Sequence, residues 1–512
     1  MKHKNIYKMD KKSKFKNLKI NSRRHSTFYF ILSTKKGSAL AYALIIMAVV
    51  LIILTSMLGY ITSQLKFSAN RVQKEEAFQI AEAGIYFYRW YLAHQTAGKT
   101  AREVDDFWQN GSPLGVDSPY EKTFSDPEGG VVGSYLIETE RPTSGSTIVI
   151  VKSTGWTNKE PNLKRTVQVR FRRPSWSEYA VLANDFMRFG EGTEVFGKIH
   201  SNKGIRFDGL AHNIVSSLMT TFDDPDHSGG NEFGVHTHVN IPPATGVNDY
   251  YRPLEAPTNP VMTRSDVFAI GREFPVSEVS FTGVSSDLAF MRTESQSGHG
   301  IYFDDSSYGR HIILKTDGTM DVRTVLNYDT SSNSITSESA TTSYAIPNAG
   351  IIFVENNVWL EGAIDNKRVT IVGDNVYIGM NNILYTNFDG TDIIGIIAQK
   401  DIEVVRDSQD FLTIDAALLA QSGRVGREKY GTWCVSWHKV WWLWICDGWT
   451  TDHRNTITIN GSIATNLRYG FAYTNGTGYT NRILNFDNNL LYYPPPYFPT
   501  GSQYAIDLWE EV

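Results

Sequence analysis

Cysteine is nearly absent from this chain of 512 residues, which contains only Cys434 and Cys446. Two thiols are too few for a zinc site unless histidines join them, and His438 is the only histidine between them. An even cysteine count with short spacing favours a disulfide in an exported domain. Two unpaired core thiols would fit the same pattern, so both interpretations stay open.

Familiar catalytic motifs are also missing. The sequence has no Gly-x-Ser-x-Gly nucleophile elbow and no phosphate-binding glycine loop. Asp304 and Asp305 are adjacent, and adjacent strand residues point to opposite faces, so this pair cannot flank one glycosidic bond. The sequence therefore predicts a protein that is not an enzyme.

Charge is absent from one long stretch, since no residue between Ser38 and Leu65 is charged. As a helix rising 1.5 Å per residue, this stretch would span about 42 Å, more than the ~30 Å hydrocarbon core of a bilayer. It also exceeds the apolar region of a secretory signal, which is about 7 to 15 residues long. We expect a membrane-spanning helix that includes the apolar side chains Leu40, Tyr42, Ile46, Val50 and Leu54.

The charges that remain are divided unequally along the chain. Residues 1–36 hold 10 lysines, 2 arginines and one aspartate, a net charge of +11, which leaves −16 on the rest of a chain with net charge −5. A basic segment held on the cytoplasmic side and an acidic body that crosses the membrane fit this division. A nucleic-acid-binding arm would leave the apolar stretch unexplained, so no nucleic-acid partner is predicted.

Lys35, Lys36 and Gly37 lie immediately before the apolar stretch. This junction resembles the class III leader of type IV pilins, in which a dedicated prepilin peptidase cuts after the glycine and leaves the apolar helix on the mature protein. The resemblance implies a leader peptide at residues 1–37 and cleavage between Gly37 and Ser38.

The helix is predicted to continue to residue 95, because apolar residues recur at three or four positions: Phe78, Ala81, Ile85, Tyr88 and Leu92. Residues 77–84, AFQIAEAG, resemble the A-F-x-x-A-E-A-G segment of PilX-type minor pilins. The resemblance covers about residues 35–92. It implies a single-pass precursor in the inner (cytoplasmic) membrane, followed by assembly with other pilins or pseudopilins at the cell surface.

One position departs from the pattern of major pilins, which carry a glutamate five residues after the cut where this chain has Tyr42. That carboxylate is thought to pair with the free amine of a neighbouring subunit. Its absence suits a subunit at or near the filament tip, as in the large K-type pseudopilins of type II secretion. The resemblance thus implies a minor pilin or pseudopilin that acts in assembly initiation or surface adhesion.

The exported part is predicted to be rich in strands, which makes the fold class α+β. Alternating runs at 146–151 and 166–171 indicate a small antiparallel sheet within residues 96–174, next to the pilin helix. Residues 175–491 are expected to form a β-rich body, with an insertion or second small β domain around 210–349. The prolines after Tyr493 exclude a central strand, so residues 492–512 are expected to form an extended tail.

One phrase recurs in the body: a glycine or valine, a short apolar strand, a polar corner and often a second strand. It occurs at 197–205, 350–358, 369–378, 395–402 and 461–466. This pattern favours the coils of a parallel β-helix, in which each coil buries its strands on the next. The alternative is a β-sandwich with Gly-Asn turns.

Two groups of residues offer metal ligands. Asp223, Asp224 and Asp226 supply the hard oxygens that calcium prefers, but without EF-hand spacing, and a solvated acidic turn is the alternative. His236 and His238 alternate along a strand, but without a placed carboxylate they make a weak zinc argument. The sequence therefore predicts no cofactor, with calcium as the open alternative.

Six of the 12 tryptophans lie between residues 433 and 449, around the two cysteines. A hairpin closed by a disulfide could present Trp437, Trp441, Trp442 and Trp444 outward, where they would stack on surface glycans or contact a protein. Alternatively, the rings could cover the open end of the β-helix. A membrane-tethered β-helix protein that binds or cleaves carbohydrate is the alternative function.

The leader assignment predicts the N-terminus of the mature protein. The N-terminal mass of protein recovered from membranes should correspond to a chain starting at Ser38, and Gly37→Leu should leave the precursor uncleaved, because the peptidase requires a small residue there. The same substitution at Gly59, within the apolar stretch, should leave cleavage unchanged. Recovery of the unaltered protein with Met1 intact would contradict the assignment.

Overall fold

A computed structural model describes residues 38–99, 101–142, 146–226, 230–239, 261–281, 284–298, 300–347, 350–501 and 503–512. The internal contacts divide the chain into two units, Met1–Arg71 and Val72–Val512. The predicted leader, including Gly37, lies outside the described residues.

The described residues contain three α-helices: α1 (Ser38–Thr96), α2 (Ala101–Gln109) and α3 (Val284–Gln296). The predicted long apolar helix is thus confirmed. In the first unit the side chains of residues 39–69 are exposed, including Leu40, Tyr42, Ile46, Val50 and Leu54. By length and composition α1 can cross a membrane, and such an apolar surface is far more stable in lipid than in water.

Strands are the main regular secondary structure of the second unit. The first fifteen are β1 (Tyr120–Ser125), β2 (Val131–Thr139), β3 (Ile148–Thr157), β4 (Arg165–Arg172), β5 (Val181–Ala183), β6 (Met187–Phe189), β7 (Thr193–Phe196), β8 (Ile199–Ser201), β9 (Ile205–Phe207), β10 (Leu210–Ala211), β11 (Val215–Ser217), β12 (Thr221–Phe222), β13 (Glu232–Phe233), β14 (Val235–His236) and β15 (Arg272–Glu273).

The strands after α3 complete this unit. They are β16 (Gly300–Phe303), β17 (Gly309–Leu314), β18 (Thr319–Asp329), β19 (Ser334–Glu338), β20 (Thr342–Ala345), β21 (Gly350–Val354), β22 (Asn357–Ile364), β23 (Arg368–Gly373), β24 (Val376–Ile378), β25 (Ile383–Tyr385), β26 (Ile393–Ala398), β27 (Ile402–Val404), β28 (Phe411–Ala420), β29 (Val425–Arg427), β30 (Trp433–Val440), β31 (Leu443–Thr450), β32 (His453–Thr465), β33 (Gly478–Phe486) and β34 (Ala505–Glu511).

The small antiparallel sheet predicted from the sequence is confirmed, with the strand order β1-β2-β3-β4-β34. Along β3, half-buried and buried residues alternate over the whole strand, as packing on one face requires. That face lies against the second half of α1. The predicted stripe of α1 belongs to this core, with Ala81, Ile85, Tyr88 and Leu92 fully buried and Phe78 partly buried.

Small residues allow α1 and the sheet to approach closely. A Cβ added to Gly155 of β3 would lie 2.3 Å from the carbonyl oxygen of Ala77 and 2.4 Å from the backbone nitrogen of Ala81. A Cβ added to Gly84 of α1 would lie 2.2 Å from Ser153 Oγ. The small residues of the AFQIAEAG segment therefore have a packing role, because they face the glycine and serine of β3.

The C-terminal strand β34 completes the small sheet by pairing antiparallel with β4. Arg170 Nε donates a hydrogen bond to Asp507 Oδ1 at 2.8 Å, and Trp509 packs edge-on against Phe78, with 5.6 Å between ring centroids. The extended tail expected at residues 492–512 therefore needs a correction at 505–511. The sequence pattern of this short strand gave no sign of its distant partner.

The rest of the second unit contains a parallel β-helix with three walls. The first wall has the spatial order β16, β21, β23, β26, β28, β32, β5, β8, β11 and β15, and every neighbouring pair in it is parallel. A second wall runs through β22, β25, β28, β32, β33 and β7, and a third through β22, β24, β27 and β29. These pairings confirm the preference for a β-helix over a β-sandwich.

The coils do not stack in chain order. β5 lies beside β32, and β7 lies beside β33, so the first coils of the helix contact the last ones. The chain enters the β-helix in its middle and proceeds to one end at β15. After α3 it resumes at the other end with β16 and returns through the remaining coils to β33.

This order corrects the insertion expected around residues 210–349. Five strands of this region belong to coils of the β-helix itself: β10, β11, β15, β16 and β17. Strands β18, β19 and β20 are antiparallel additions to it. The recurring phrases indicated which segments form coils, but they carry no information about which coils are neighbours.

The first wall is buried on both faces. Ile352 and Ile396 point into the β-helix, whereas Ile351 and Phe353 belong to an outer core with Met291 of α3. The proline-rich segment crosses the same outer face, where the carbonyl of Pro496 accepts a hydrogen bond from Thr370 Oγ1. Burial on both faces explains why these strands read as continuous apolar runs rather than as alternating ones.

The close contact between α1 and β3 predicts that Gly155→Ala lowers the free energy of unfolding by about 1 to 3 kcal/mol, because the new methyl group must displace the helix backbone. Gly431→Ala is the control, since a Cβ there meets no atom within 4 Å. It should change the free energy by less than about 0.5 kcal/mol. Urea denaturation of the purified full chain, followed by circular dichroism, measures both. Equal midpoints would contradict the packing argument.

Candidate functional site

A separate hairpin leaves the β-helix between β29 and β32. Strands β30 and β31 form their own two-stranded antiparallel sheet. A disulfide joins Cys434 and Cys446, whose Cα atoms lie 5.9 Å apart, so the cysteines are paired rather than free. We refer to residues 433–450 as the tryptophan hairpin.

The indole rings of the tryptophan hairpin lie in solvent. Trp441 and Trp442 at the turn are 81% and 74% exposed, and Trp437, Trp444 and Trp449 are also more than half exposed. These exposures do not fit the alternative in which the rings cover the open end of the β-helix. An apolar surface of this kind on a folded domain is typical of an interaction site.

Apolar side chains occupy both faces of the tryptophan hairpin. Trp444 lies opposite Lys439 on one face, and Ile445 lies opposite His438 on the other. Val440, Leu443 and Ile445 are each at least 41% exposed. The hairpin therefore offers two apolar surfaces and an aromatic turn rather than one binding face.

The turn of the hairpin is strained. Val440 pairs with Leu443, so Trp441 and Trp442 form a two-residue loop. Trp441 has φ +58, and Trp442 is not among the residues with positive φ, which is the pattern of a type II′ turn. Glycine dominates the first position of such turns, and an L side chain in the left-handed region costs about 1 to 2 kcal/mol. Strain retained at an exposed position suggests a functional reason for the side chain.

Buried polar contacts fix the two ends of the hairpin. Asp452, two residues after the end of β31, is fully buried and forms an ion pair with the equally buried Arg427 of β29. The backbone nitrogen of Tyr430 donates a hydrogen bond to Asp452 Oδ2 at 3.1 Å, and the guanidinium of Arg406 lies over the Trp433 ring at 4.9 Å. Because removing one partner of a buried pair leaves an uncompensated charge, this clamp strongly constrains where the hairpin leaves the body.

The three aspartates considered for calcium point in different directions. Asp223 is exposed, and Asp226 forms ion pairs with Arg188 at 3.5 Å and Arg468 at 2.6 Å. Only Asp224 is buried. The structure therefore does not bring these three carboxylates together around one point.

Asp224 instead lies beside Glu232, His236 and His238, all of them buried, and one ligand atom from each falls within 4.8 Å of the others. His236 and His238 thus lie beside two carboxylates, although the sequence pattern predicted no carboxylate near them. Glu232, His236 and His238 are separated by even numbers of residues, so their side chains share one face of an extended segment. This spacing is the feature of the sequence that could have indicated the cluster. Burial by itself lowers the pKa of His236, but the carboxylates of Asp224 and Glu232 outweigh it and raise this pKa to about 9.

Comparison with known proteins gives one family match: residues 36–85 match the family model described as PilX N-terminal. The crystal structure of the competence-associated pilin ComZ from Thermus thermophilus is 14% identical, with a TM-score of 0.27 over 86% of this chain and 98% of that chain. An ice-binding protein from the Antarctic ascomycete Antarctomyces psychrotrophicus is 8% identical, with a TM-score of 0.26 over 61% and 96%. TM-scores this low establish no common fold. No curated protein matches the chain.

The strained turn predicts opposite effects for two neighbouring substitutions. Trp441→Gly should stabilise the hairpin by about 1 kcal/mol, because it removes the left-handed strain. Trp442→Gly should destabilise it by about 0.5 to 1 kcal/mol, because glycine there only adds freedom to the unfolded chain. Amide hydrogen exchange at Val440 and Leu443 reports both changes. Reduced protection in both variants would show that Trp441 is not under strain.

Proposed function

We propose that this chain, a type IV pilin-like protein of the PilX type, is a non-enzymatic minor pilin or pseudopilin assembled at or near the tip of a filament. The match of residues 36–85 to the PilX N-terminal family carries this proposal. In this function, a prepilin peptidase cleaves after Gly37 while α1 holds the precursor in the inner membrane. Other pilins or pseudopilins then pack against the apolar residues of α1.

Two features support a position at the tip rather than in the shaft. Tyr42 occupies the position where the major pilins carry a glutamate, so the pairing with a neighbouring amine is absent. The second unit, Val72–Val512, is also large and contains a whole β-helix in addition to the small sheet. A body of this size is difficult to repeat along a tightly packed shaft but is easily accommodated at an end.

The tryptophan hairpin supports an adhesive function at that end. Its turn presents Trp441 and Trp442 to solvent on a disulfide-closed element, so little backbone freedom is lost when the hairpin binds. Indole rings stack on the apolar faces of sugars and fill apolar pockets of proteins. We propose surface glycans as its partner, with Trp437, Trp441, Trp442 and Trp444 as the contact residues.

The acidic pair considered for catalysis is poorly suited to glycoside hydrolysis. Asp304 accepts a hydrogen bond from Ser306 Oγ at 2.7 Å and forms an ion pair with Arg310 at 3.2 Å. The hydrogen bonds from Ser306 are the main cause that lowers the pKa of Asp304, and the Arg310 charge lowers it further. A carboxyl group in this setting is a poor general acid, because the carboxyl group that protonates the leaving group in glycoside hydrolysis needs a raised pKa.

Filament formation and attachment can be tested separately in the native host. Deletion of the gene should abolish or reduce filaments, together with attachment and twitching. A variant with Trp441, Trp442 and Trp444 each replaced by serine should keep the filaments but lose attachment to glycan-coated surfaces, because the three rings are exposed on a hairpin whose sheet is separate from the small sheet. Electron microscopy counts filaments, and adherent cells measure attachment.

The control variant replaces Phe388 and Phe411 by serine, since both are exposed apolar residues outside the hairpin. It should attach as well as the unaltered protein. Normal attachment by the tryptophan variant would rule out adhesion through the hairpin while leaving the filament function intact. Unchanged filaments, attachment and twitching in the deletion strain would rule out the filament function itself.

A further inference from the structure

Four buried side chains converge where a short loop returns to the β-helix. β12 and β13 pair antiparallel, and Asp224 follows β12 while Glu232 begins β13. β14 then lies parallel to β9 of the β-helix and ends at His236, with His238 two residues later. All four side chains are at least 93% buried. A carboxylate from one side of the loop therefore meets a carboxylate and two imidazoles from the other.

The distances within this cluster are close to those that a metal ion requires. His236 Nε2 lies 2.9 Å from Glu232 Oε2 and 3.7 Å from Asp224 Oδ2, and His238 Nε2 lies 2.7 Å from Glu232 Oε1. A tetrahedral ion with bonds of about 2.0 Å holds its ligand atoms about 3.3 Å apart. The three observed distances lie on both sides of that value, and all four ligand atoms lie within 4.8 Å of one another.

Outer contacts orient the ligand atoms toward the centre. The carbonyl of Phe233 can only accept, so His236 Nδ1 donates to it at 2.9 Å, and Nε2 is left as the atom that can give up its proton and bind a metal ion. Asp224 Oδ1 accepts a hydrogen bond from the backbone nitrogen of Asp226 at 2.9 Å, which leaves Oδ2 for the centre. Neither His236 Nε2 nor Asp224 Oδ2 makes a hydrogen bond of good geometry, although both are buried.

The charges around the cluster call for a divalent cation. Among the described residues, Asp208 is a third carboxylate beside the cluster, and Arg206 lies 2.7 Å from Asp208 and 3.5 Å from Asp224. Among these described groups, three carboxylates against one guanidinium leave two negative charges once the imidazoles have released their protons to act as ligands. Unbalanced charges in a protein interior are costly, so one doubly charged ion would stabilise this arrangement.

We propose that Asp224, Glu232, His236 and His238 bind one divalent transition-metal ion, with zinc as the preferred metal, and that this ion fastens the loop between β12 and β14 to the β-helix. Calcium takes oxygen ligands, whereas zinc accepts nitrogen and oxygen together in a tetrahedron. Four protein ligands leave no open position, which is typical of a structural site.

The test uses the full chain, purified in detergent without chelators. Mass spectrometry of the metal content should find about one zinc per chain. Removal of the metal by EDTA should lower the midpoint of thermal unfolding by several degrees, and addition of zinc chloride should restore it. The double variant His236→Ala/His238→Ala should contain no zinc. The control variant His453→Asn, which replaces an exposed histidine, should retain it.

A milder variant separates metal binding from folding. Asp224→Asn keeps the shape of the side chain and its hydrogen bond from Asp226, so the far-ultraviolet circular dichroism should be unchanged while zinc affinity falls at least about tenfold. The proposal is overturned if the unaltered protein holds no more zinc than the double variant and its unfolding midpoint does not respond to EDTA or zinc. The cluster would then be an ion-pair network. Equal zinc content in every variant would also overturn the proposal, because the zinc would then be bound elsewhere on the chain.

Discussion

The parallel pairing of β5 with β32 is the contact on which the architecture of the second unit depends. Val181, Leu182 and Ala183 pair with Ile463, Ala464 and Thr465, so the first coil of the β-helix rests on one of the last. A coil buries its apolar face only against a neighbour. Without this contact and the adjacent pairing of β7 with β33, two shorter β-helices would each expose an edge of unpaired backbone groups. The same closure returns the chain to its starting point after β33, which allows β34 to reach β4 and complete the small sheet.

Local patterns were enough to predict the long helix, the small sheet and several coils, and they failed where the structure depends on distant contacts. The spacing of Ala81, Ile85 and Tyr88 indicated the packed face of α1, and the recurring phrases indicated the coils. The stacking of β5 on β32 cannot be read from either strand, because all of these short apolar strands resemble one another. The same limit hid the pairing of β34 with β4, where the strands are more than 300 residues apart in sequence.

The metal ligands show a related limit. Glu232, His236 and His238 share a face because extended residues alternate, and that relation was available from the sequence. Asp224 joins them only because β12 and β13 fold into a hairpin, and among three nearby aspartates no pattern distinguished it from Asp223 or Asp226. Its burial distinguishes it in the structure, since Asp226 is paired with Arg188 and Arg468 at the surface. Whether a carboxylate can bind a metal ion or only forms an ion pair therefore depends on the side chains that the fold places beside it.

The tryptophan hairpin and the metal cluster are built on different parts of the β-helix, and this separation has an energetic consequence. The hairpin is clamped by Arg427 and Asp452 between β29 and β32, whereas the cluster lies around β9 and β14. They share no side-chain contact in the described residues, and effects at sites without shared partners add nearly independently. The strain at Trp441 is therefore not offset by the cluster. The free energy of this strain therefore destabilises only the hairpin. The disulfide and the buried ion pair of Arg427 with Asp452 stabilise the hairpin against it, and the indole stays exposed to solvent.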